Sequence, residues 1–188
     1  MIFNNQIAGL DEAGRGPWAG PICIAIVLLT ELVDELNDSK KLTEKSRQAL
    51  FDKIILADSK TGIGWSSAAE IDELGLTIAS ELAAKRAYED SALGHETKLI
   101  IDGNYNYLKD HPNIETIIKA DGKIASVAAA SIIAKVSRDN YMKKLAVEHP
   151  DYSFEKHKGY GTKVHIEALS KLGTCSEHRL SFKPVSKF

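Results

Sequence analysis

The sequence is poor in the residues that build disulfide-linked or membrane-bound proteins. Only 2 of its 188 residues are cysteines, and Cys23 and Cys175 lie far apart, so no disulfide framework is indicated. The longest apolar runs, 22–29 and 125–134, are too short to span a bilayer. No cationic segment followed by an apolar stretch, as in a secretory signal, begins at Met1. These absences predict a soluble, cytoplasmic protein with no membrane partner.

A zinc site is not predicted either. Cys175 and His178 offer two ligands, but a structural zinc site usually needs four at recognisable spacing, and the sequence has no clear second pair. Cys23 lies inside an apolar run and is interpreted as a small core residue.

Charge is distributed unevenly along the chain. The formal net charge of −2 argues against a general nucleic-acid coat protein. From Ser153 to Phe188, however, seven Lys and Arg stand against three acids, so this segment carries +4 and the remainder −6. A basic segment beside an acidic body is compatible with phosphate binding next to a metal site, although charge runs are more often solvated faces.

Hydrophobic patterning predicts an α/β fold with a mixed sheet covered by helices. The expected strands are Gln6–Asp11, Pro21–Leu29, Gly62–Ala68, Lys98–Ile101 and Ile114–Ile118, and the expected helices are Thr43–Leu56, Ile71–Leu93, Gly122–His149 and Thr162–Leu172. The short connection between the first two strands favours a hairpin, because a parallel pair needs a crossover of about a dozen residues or more. Leu74, Ile78, Leu82 and Ala83 recur at helical spacing and are expected on the packing face of their helix.

Acidic residues follow three of the predicted strands. Asp11, Asp102 and Asp121 lie at or just after strand C-terminal ends, where sites gather in open α/β sheets. Converging carboxylates repel one another unless cations are bound. Two divalent ions about 3.5–4 Å apart would satisfy them, and can activate a water and clamp an in-line displacement at phosphorus. The pattern therefore favours metal-dependent phosphoryl chemistry.

The segment from Asp11 to Gly16 combines two acids with a glycine-flanked arginine. Adjacent residues on a regular strand point to opposite faces, so Asp11 and Glu12 can share a site only where the strand ends or bends. Gly14 and Gly16 favour such a break, and glycine also lets backbone approach a substrate closely. The competing interpretation is a turn with two solvated acids.

Several separated motifs, spread from Ile7 to Phe182, carry a family resemblance. They are Asp11–Gly16 with Gly20-Pro21 after it, Asp38–Leu42, Asp102–Asn104, Lys119–Asp121, Ala128–Asp139, Gly159–Thr162 and His178–Phe182. In this combination and order the chain resembles bacterial ribonuclease HII, a type 2 ribonuclease H family. The resemblance implies a ribonuclease H-like fold, a five-stranded mixed sheet flanked by helices. The expected organisation is a single domain over 1–188, in which 150–188 is a basic helical and loop region that contributes to substrate binding.

The resemblance also implies an activity. The family hydrolyses the RNA of RNA/DNA hybrids and nicks duplex DNA on the 5′ side of an embedded ribonucleotide, leaving a 3′-hydroxyl and a 5′-phosphate. Ribonucleotide removal and RNA primer removal in DNA repair and replication are the expected roles, with Mg²⁺ or Mn²⁺ as cofactor, two ions bound, and a monomeric enzyme. The family's four catalytic, metal-binding acids carry over to Asp11, Glu12, Asp102 and Asp121.

The family's substrate-binding residues carry over as well. Its Gly-Arg-Gly motif, which reads the 2′-hydroxyl at an RNA-to-DNA junction through backbone contacts, maps onto Gly14, Arg15 and Gly16. The tyrosine that packs on the sugar of the following deoxynucleotide maps onto Tyr160. A 2′-hydroxyl is the group that separates RNA from DNA at one nucleotide, so reading it selects the junction.

Other candidates have stronger competing interpretations. Expected phosphate contacts are Lys40, Lys41, Lys135 and Arg138, each of which could instead be a solvated loop or helix residue. Asp139 is either an outer-shell acid of the site or a surface partner of Lys135 and Arg138. Tyr160 by itself could be an ordinary packed aromatic. His165 and His178 are interpreted as structural or phosphate-adjacent residues and not as metal ligands.

Three other functions compete with this one. The sister family, ribonuclease HIII, shares fold and acids but lacks the Gly-Arg-Gly signature and carries an N-terminal extension, whereas this chain has Arg15 and begins its first strand within ten residues. A dinucleotide-binding enzyme would need a further glycine three residues after Gly16. A catalytically silent nucleic-acid-binding module would not need all four acids.

Overall fold

The computed structural model of the protein describes residues 1–36, 39, 42–57 and 59–188. Within these ranges the strands are β1 (Ile7–Ala13), β2 (Ile22–Leu28), β3 (Lys60–Ser66), β4 (Lys98–Asp102) and β5 (Ile114–Ile117). The helices are α1 (Glu44–Leu56), α2 (Ala68–Ser91), α3 (Ala125–Glu148), α4 (Phe154–His157) and α5 (Lys163–Leu172), with 3-10 turns at Ala120–Gly122 and Pro150–Tyr152. The expected phosphate contacts Lys40 and Lys41 and the motif residue Asp38 lie outside the described residues.

The five strands form one sheet in the order β3-β2-β1-β4-β5. The β1–β2 and β2–β3 pairs are antiparallel, and the β1–β4 and β4–β5 pairs are parallel. Both the predicted mixed sheet and the predicted hairpin are confirmed. β1 pairs with β4 from Ile7↔Lys98 to Leu10↔Ile101, which brings Asp11 and Asp102 to the same end of neighbouring strands.

β2 is apolar throughout because helices cover both of its faces. Alternate residues of this strand enter two different core clusters, and all six are fully buried. Those on the α2 side are Ile22, Ile24 and Ile26, and those on the side of α1 and α3 are Cys23, Ala25 and Val27. A strand covered on both faces needs a continuous apolar run, so Cys23 is confirmed as a small core residue.

The packing face of α2 agrees with the prediction at Ala83, which is fully buried, and differs from it at Leu74 and Ile78. Gly75, with φ of 78°, interrupts the helix between Leu74 and Ile78, which are 39% and 48% exposed. Beyond it the buried residues that face the sheet are small, namely Ala79, Ser80, Ala83, Ala84 and Ala87. The reason lies in β3, where a Cβ added to Gly64 would lie 1.9 Å from the carbonyl oxygen of Ala83. The helix backbone rests directly on the strand, so only small side chains fit between them.

α3 approaches the other face of the sheet equally closely. A Cβ added to Gly9 would lie 2.2 Å from the backbone nitrogen of Val127, so the predicted close approach of the small residues at 125–134 is confirmed. This contact holds α3 against β1, one turn before Ser131.

The C-terminal segment packs against the far end of α3 and against the loop that follows β1. Its apolar cluster includes Ala19, Met142, Phe154 and Leu169. The chain after α5 then returns to the N-terminal turn of α2, where the carboxylate of Asp72 accepts backbone hydrogen bonds from residues 180 and 181. The loop after β1 is therefore enclosed by the C-terminal segment.

Among the residues that the structure describes, no helix is both long enough and apolar enough to cross a membrane.

Candidate active site

Three carboxylates meet at one end of the sheet. Asp11 lies on β1, Asp102 is the last residue of β4, and Asp121 lies in the 3-10 turn after β5. One oxygen from each lies within 4.8 Å of the others, and Asp11 and Asp121 are only 6% and 5% exposed. The predicted convergence is confirmed. Carboxylate oxygens in this arrangement are the hard ligands that Mg²⁺ and Mn²⁺ prefer.

Asp102 also builds the turn that carries Asp121. One oxygen of its carboxylate accepts a hydrogen bond from the backbone N–H of Ala120 at 2.7 Å. The chain enters this turn through Lys119 in the left-handed conformation, with φ of 58°. Gly103, with φ of 97°, lets the chain leave β4 directly after Asp102.

Asp11 is in an environment that disfavours its charge. Burial, followed by the charge of Glu12, raises the pKa of Asp11 to about 8, with Asp102 adding to the rise. A hydrogen bond from Ser131 acts in the opposite direction, and the Ser131 hydroxyl lies 2.8 Å from that of Ser39. A cation between the carboxylates would relieve this repulsion, so the donor set and its electrostatics fit a divalent metal.

Glu12 follows Asp11 directly and lies beside the group formed by Asp11, Asp102 and Asp121. β1 does not break between Asp11 and Glu12 but continues to Ala13, so the expected break comes only at Gly14, whose φ is 102°. The Glu12 charge nevertheless acts on Asp11, where it is the second largest cause of the raised pKa. Glu12 also accepts a hydrogen bond from the hydroxyl of Tyr107.

Tyr107 joins Glu12 to Arg15. Its hydroxyl accepts a hydrogen bond from Arg15 Nη1 at 3.0 Å, and the same nitrogen lies 3.4 Å from the Ser80 hydroxyl. Tyr107 is 6% exposed, and burial together with Glu12 raises its pKa far above the usual value. Sequence reasoning missed Tyr107, which lies in a loop with no periodic signal.

Two buried arginines hold the loop that contains Gly14, Arg15 and Gly16. Arg179 donates to the carbonyl oxygens of Gly14, Arg15 and Gly20 at 2.7–3.2 Å. Sequence reasoning assigned no role to Arg179, although it lies within a recognised motif. The loop is thus shaped by side chains from distant parts of the chain.

Arg138 is the second of these arginines, and its expected contact with substrate phosphate is wrong. Its side chain is 1% exposed, and its three guanidinium nitrogens donate to the carbonyl oxygens of Pro21, Ala19 and Lys158 at 2.9–3.1 Å. Because its guanidinium nitrogens donate to groups inside the protein, Arg138 has a structural function. Removing its side chain would leave these carbonyls without their hydrogen-bond donor.

Gly16 and Tyr160 form a small exposed surface. Gly16 is exposed, and a Cβ added to it would lie 3.5 Å from Cε1 of the Tyr160 ring. Tyr160 is 46% exposed, so it is not an ordinary packed aromatic. An open backbone and an aromatic face lie side by side, an arrangement that suits the edge and sugar of a nucleotide.

Lys135 and Asp139 form an ion pair on α3. Lys135 Nζ lies 2.8 Å from a carboxylate oxygen of Asp139, four residues later. The side chain of Lys135 is 31% exposed and that of Asp139 is 10% exposed. Asp139 is therefore the ion-pair partner of Lys135. Among the described residues, the hydrogen bonds of Arg138 go to backbone carbonyls and not to Asp139.

Comparison with known proteins places this geometry in a family. The family model described as Ribonuclease HII matches residues 8–185. The chain is 51% identical over 174 residues to ribonuclease HII of Fusobacterium nucleatum, covering 89% of this chain and 80% of that protein. It is 46% identical over 191 residues to ribonuclease HII of a Shewanella species, covering 98% of this chain and 91% of that protein.

Solved structures agree with these relatives. The fold matches the PCNA:RNase HII complex from Archaeoglobus fulgidus with a TM-score of 0.76 and 27% identity, covering 94% of both chains. It also matches ribonuclease H2 from Pyrococcus horikoshii OT3 with a TM-score of 0.74 and 27% identity, covering 96% of this chain and 95% of that one.

Proposed function

Because the chain belongs to the ribonuclease HII family, and is therefore a ribonuclease H endonuclease that acts on RNA–DNA hybrids, we propose that it also nicks duplex DNA 5′ of an embedded ribonucleotide. The products are a 3′-hydroxyl and a 5′-phosphate. The observation that carries this proposal is the continuity of one segment, in which Asp11 and Glu12 are followed within two residues by Gly14-Arg15-Gly16. One continuous segment therefore carries two of the proposed catalytic acids and the backbone proposed to read the junction.

The metal site of this proposal consists of Asp11, Glu12, Asp102 and Asp121. Three of them already meet within 4.8 Å, and Glu12 lies next to Asp11 in the chain. Two divalent ions bound there, Mg²⁺ or Mn²⁺, would activate the attacking water and stabilise the leaving oxygen. The residues themselves hold these groups in place: Asp102 orients the Asp121 turn, and Tyr107 orients Glu12.

Junction reading is assigned to backbone and aromatic groups. The guanidinium of Arg15 is held by Tyr107 and Ser80, so its side chain supports the loop while the loop backbone faces the substrate. Gly16, with its open surface, contacts the 2′-hydroxyl of the ribonucleotide, and Tyr160 packs on the sugar of the next nucleotide. A 2′-hydroxyl on that second sugar would crowd the ring.

Phosphate contacts complete the proposal. Lys135 is the partly exposed candidate, with Lys40 and Lys41 and the basic segment 150–188 adding positive charge. The enzyme works as a monomer in the cytoplasm, built as one domain over 1–188, and removes ribonucleotides and RNA primers during DNA repair and replication.

The test is cleavage of an end-labelled DNA duplex that contains one ribonucleotide, with Mg²⁺ and with chelator, mapped to single-nucleotide resolution. The expected result is a metal-dependent nick 5′ of the ribonucleotide, absent from an all-DNA duplex and from the Asp102→Asn variant. Cleavage of a continuous hybrid without this nick would favour the substrate range of the sister family. Failure to cleave either substrate would favour a silent binding module.

A further inference from the structure

Three buried histidines lie beneath Tyr160, outside the carboxylate site. His157, His165 and His178 are 7%, 0% and 2% exposed. The His157 and His165 rings stack with centroids 4.4 Å apart, and the cluster packs against Phe154. Buried polar rings of this kind need hydrogen-bond partners, and their partners show how the cluster acts.

The hydrogen bonds of His178 and His165 define a directed chain. The backbone N–H of Cys175 donates to Nδ1 of His178 at 2.9 Å, so the proton of a neutral His178 is on Nε2. That Nε2 lies 3.0 Å from Nε2 of His165, which must accept, so His165 carries its proton on Nδ1. The Nδ1–H of His165 then donates to the carbonyl oxygen of Tyr160 at 3.0 Å.

This chain requires both rings to be neutral, because a protonated imidazole cannot accept a hydrogen bond. Burial lowers the pKa of His165 and of His178 to about 4, and the charges of His157 and His149 act in the same direction. His157 follows the same pattern, since its Nδ1 accepts from the Gly159 N–H at 3.2 Å. At neutral pH the geometry and the electrostatics therefore agree.

The hydrogen-bond chain ends at the backbone carbonyl of Tyr160, in a segment that also receives a hydrogen bond from the Trp18 N–H to the Gly159 carbonyl at 2.8 Å. Tyr160 stands between Gly159, with φ of 83°, and Gly161, and glycine loses more conformational freedom on folding than any other residue. Its backbone N–H donates to the His157 carbonyl at 2.9 Å, and its carbonyl accepts from Thr162 N–H at 2.8 Å. The bond from His165 is the only one of these that comes from a side chain.

We propose that His165 and His178 are positioning residues for junction recognition, which hold Tyr160 opposite Gly16 through this chain of neutral imidazoles. The proposal rests on the proposed function of Tyr160 as the reader of the deoxynucleotide sugar. Loss of these hydrogen bonds leaves the three carboxylates in place. It therefore lowers the preference for an embedded ribonucleotide and not the ability to hydrolyse RNA.

Two substitutions of His165 test separately its hydrogen bond to Tyr160 and its hydrogen bond to His178. The side-chain nitrogen of asparagine occupies the place of Nδ1, so His165→Asn can still donate to Tyr160. The amide of glutamine reaches the place of Nε2, so His165→Gln keeps a partner for His178 and loses the donor to Tyr160. Both remove one buried ring and are matched in that cost to packing.

The readout is the ratio of cleavage rates on a duplex with one ribonucleotide and on a continuous RNA/DNA hybrid. We expect His165→Gln to lower this ratio about five- to tenfold, the equivalent of one hydrogen bond, and His165→Asn to keep it within about twofold. Tyr160→Ala should lower it at least as much, and adding His165→Gln to Tyr160→Ala should lower it no further, since both act through one group.

Each outcome has one meaning. An unchanged ratio in Tyr160→Ala overturns the proposed function of Tyr160, and the histidine proposal with it. A lowered ratio in Tyr160→Ala with an unchanged ratio in folded His165→Gln overturns the histidine proposal alone, as does additivity in the double variant.

A second measurement needs no variant. Long-range ¹H–¹⁵N correlation spectra of the wild-type protein at pH 7 report which ring nitrogen carries the proton. We expect the Nδ1–H tautomer for His165 and the Nε2–H tautomer for His178. The opposite tautomer at His165, or a charged ring at either position, contradicts the chain even if the substituted proteins fail to fold.

Discussion

The carboxylate of Asp102 accepts a hydrogen bond from the backbone N–H of Ala120 at 2.7 Å, so one acid of the site holds the turn that carries the next. This relationship couples the end of β4 to the 3-10 turn at Ala120–Gly122. It also separates two functions of Asp102. A neutral amide can still accept the hydrogen bond but cannot supply the negative charge that a metal ion requires.

Asp102→Asn should therefore keep the fold and duplex binding while it removes most turnover. We expect cleavage to fall at least about 100-fold, because loss of a direct metal ligand exceeds the effect of losing an outer partner. Added Mg²⁺ should raise the melting temperature of the wild type and not that of the variant. Undiminished cleavage would disprove the assignment. Asp102→Ala, which also loses the bond to Ala120, should be the less stable of the two.

Tyr107→Phe tests the link between Glu12 and Arg15. Removing the hydroxyl takes one partner from each, so we expect cleavage to fall about tenfold and the Mg²⁺ concentration for half-maximal activity to rise. Stability should change little, since the ring stays. Tyr105→Phe is the matched control, because its hydroxyl bonds to Glu81 away from the carboxylates. Equal effects of the two substitutions would show that the Tyr107 hydroxyl has no specific role in the site.

Gly16→Ala tests whether substrate approaches this backbone. The added methyl meets only the Tyr160 ring at 3.5 Å, an ordinary contact, so the free energy of unfolding should change by less than about 0.5 kcal/mol. Nicking at a single ribonucleotide should nevertheless fall about tenfold or more. Gly14→Ala is the contrast, since its φ is 102° and its methyl would lie 2.2 Å from Arg138 Nε, and it should destabilise the fold itself. Full activity of folded Gly16→Ala would argue against close approach.

The buried histidines predict a loss of stability in acid. The pKa values of His165 and His178 are about 4 when folded, against 6.5 as the ordinary value, so the unfolded chain binds more protons between these limits. Their contribution is complete above about pH 6.5 and declines as pH falls toward 4. Urea unfolding at pH 7.5, 6 and 5 measures it.

A matched variant isolates this effect from the carboxylates. The raised pKa of Asp11 acts with the opposite sign, because its protonation between pH 8 and the ordinary carboxyl range stabilises the metal-free fold as pH falls. His178→Asn keeps Asp11 and removes one titrating ring. The wild type should therefore lose more stability than His178→Asn between pH 7.5 and 5, and equal slopes would contradict the prediction.

Local sequence determined much of the fold of this protein. The order of strands and helices, a connection too short for a parallel crossover, and acids at the end of β4 and after β5 are properties of neighbouring residues, and these predicted features are confirmed. Asp11, Asp102 and Asp121 could be identified because strand ends in a parallel arrangement must meet. Helical periodicity did not show that Leu74 and Ile78 would stay exposed, because the helix is interrupted at Gly75 and its later part packs on Gly64 in β3.

Tertiary structure alone decided how the site is supported. From the sequence, Arg138 is expected to be a cation on the surface of a helix. In the structure it is buried, and it donates to the carbonyl oxygens of residues 19, 21 and 158. Tyr107 and the pair formed by His165 and His178 likewise acquire their roles only from partners far along the chain. Hydrophobic periodicity records which face of an element is buried, whereas a buried polar group is determined by the hydrogen-bond partners that folding brings to it.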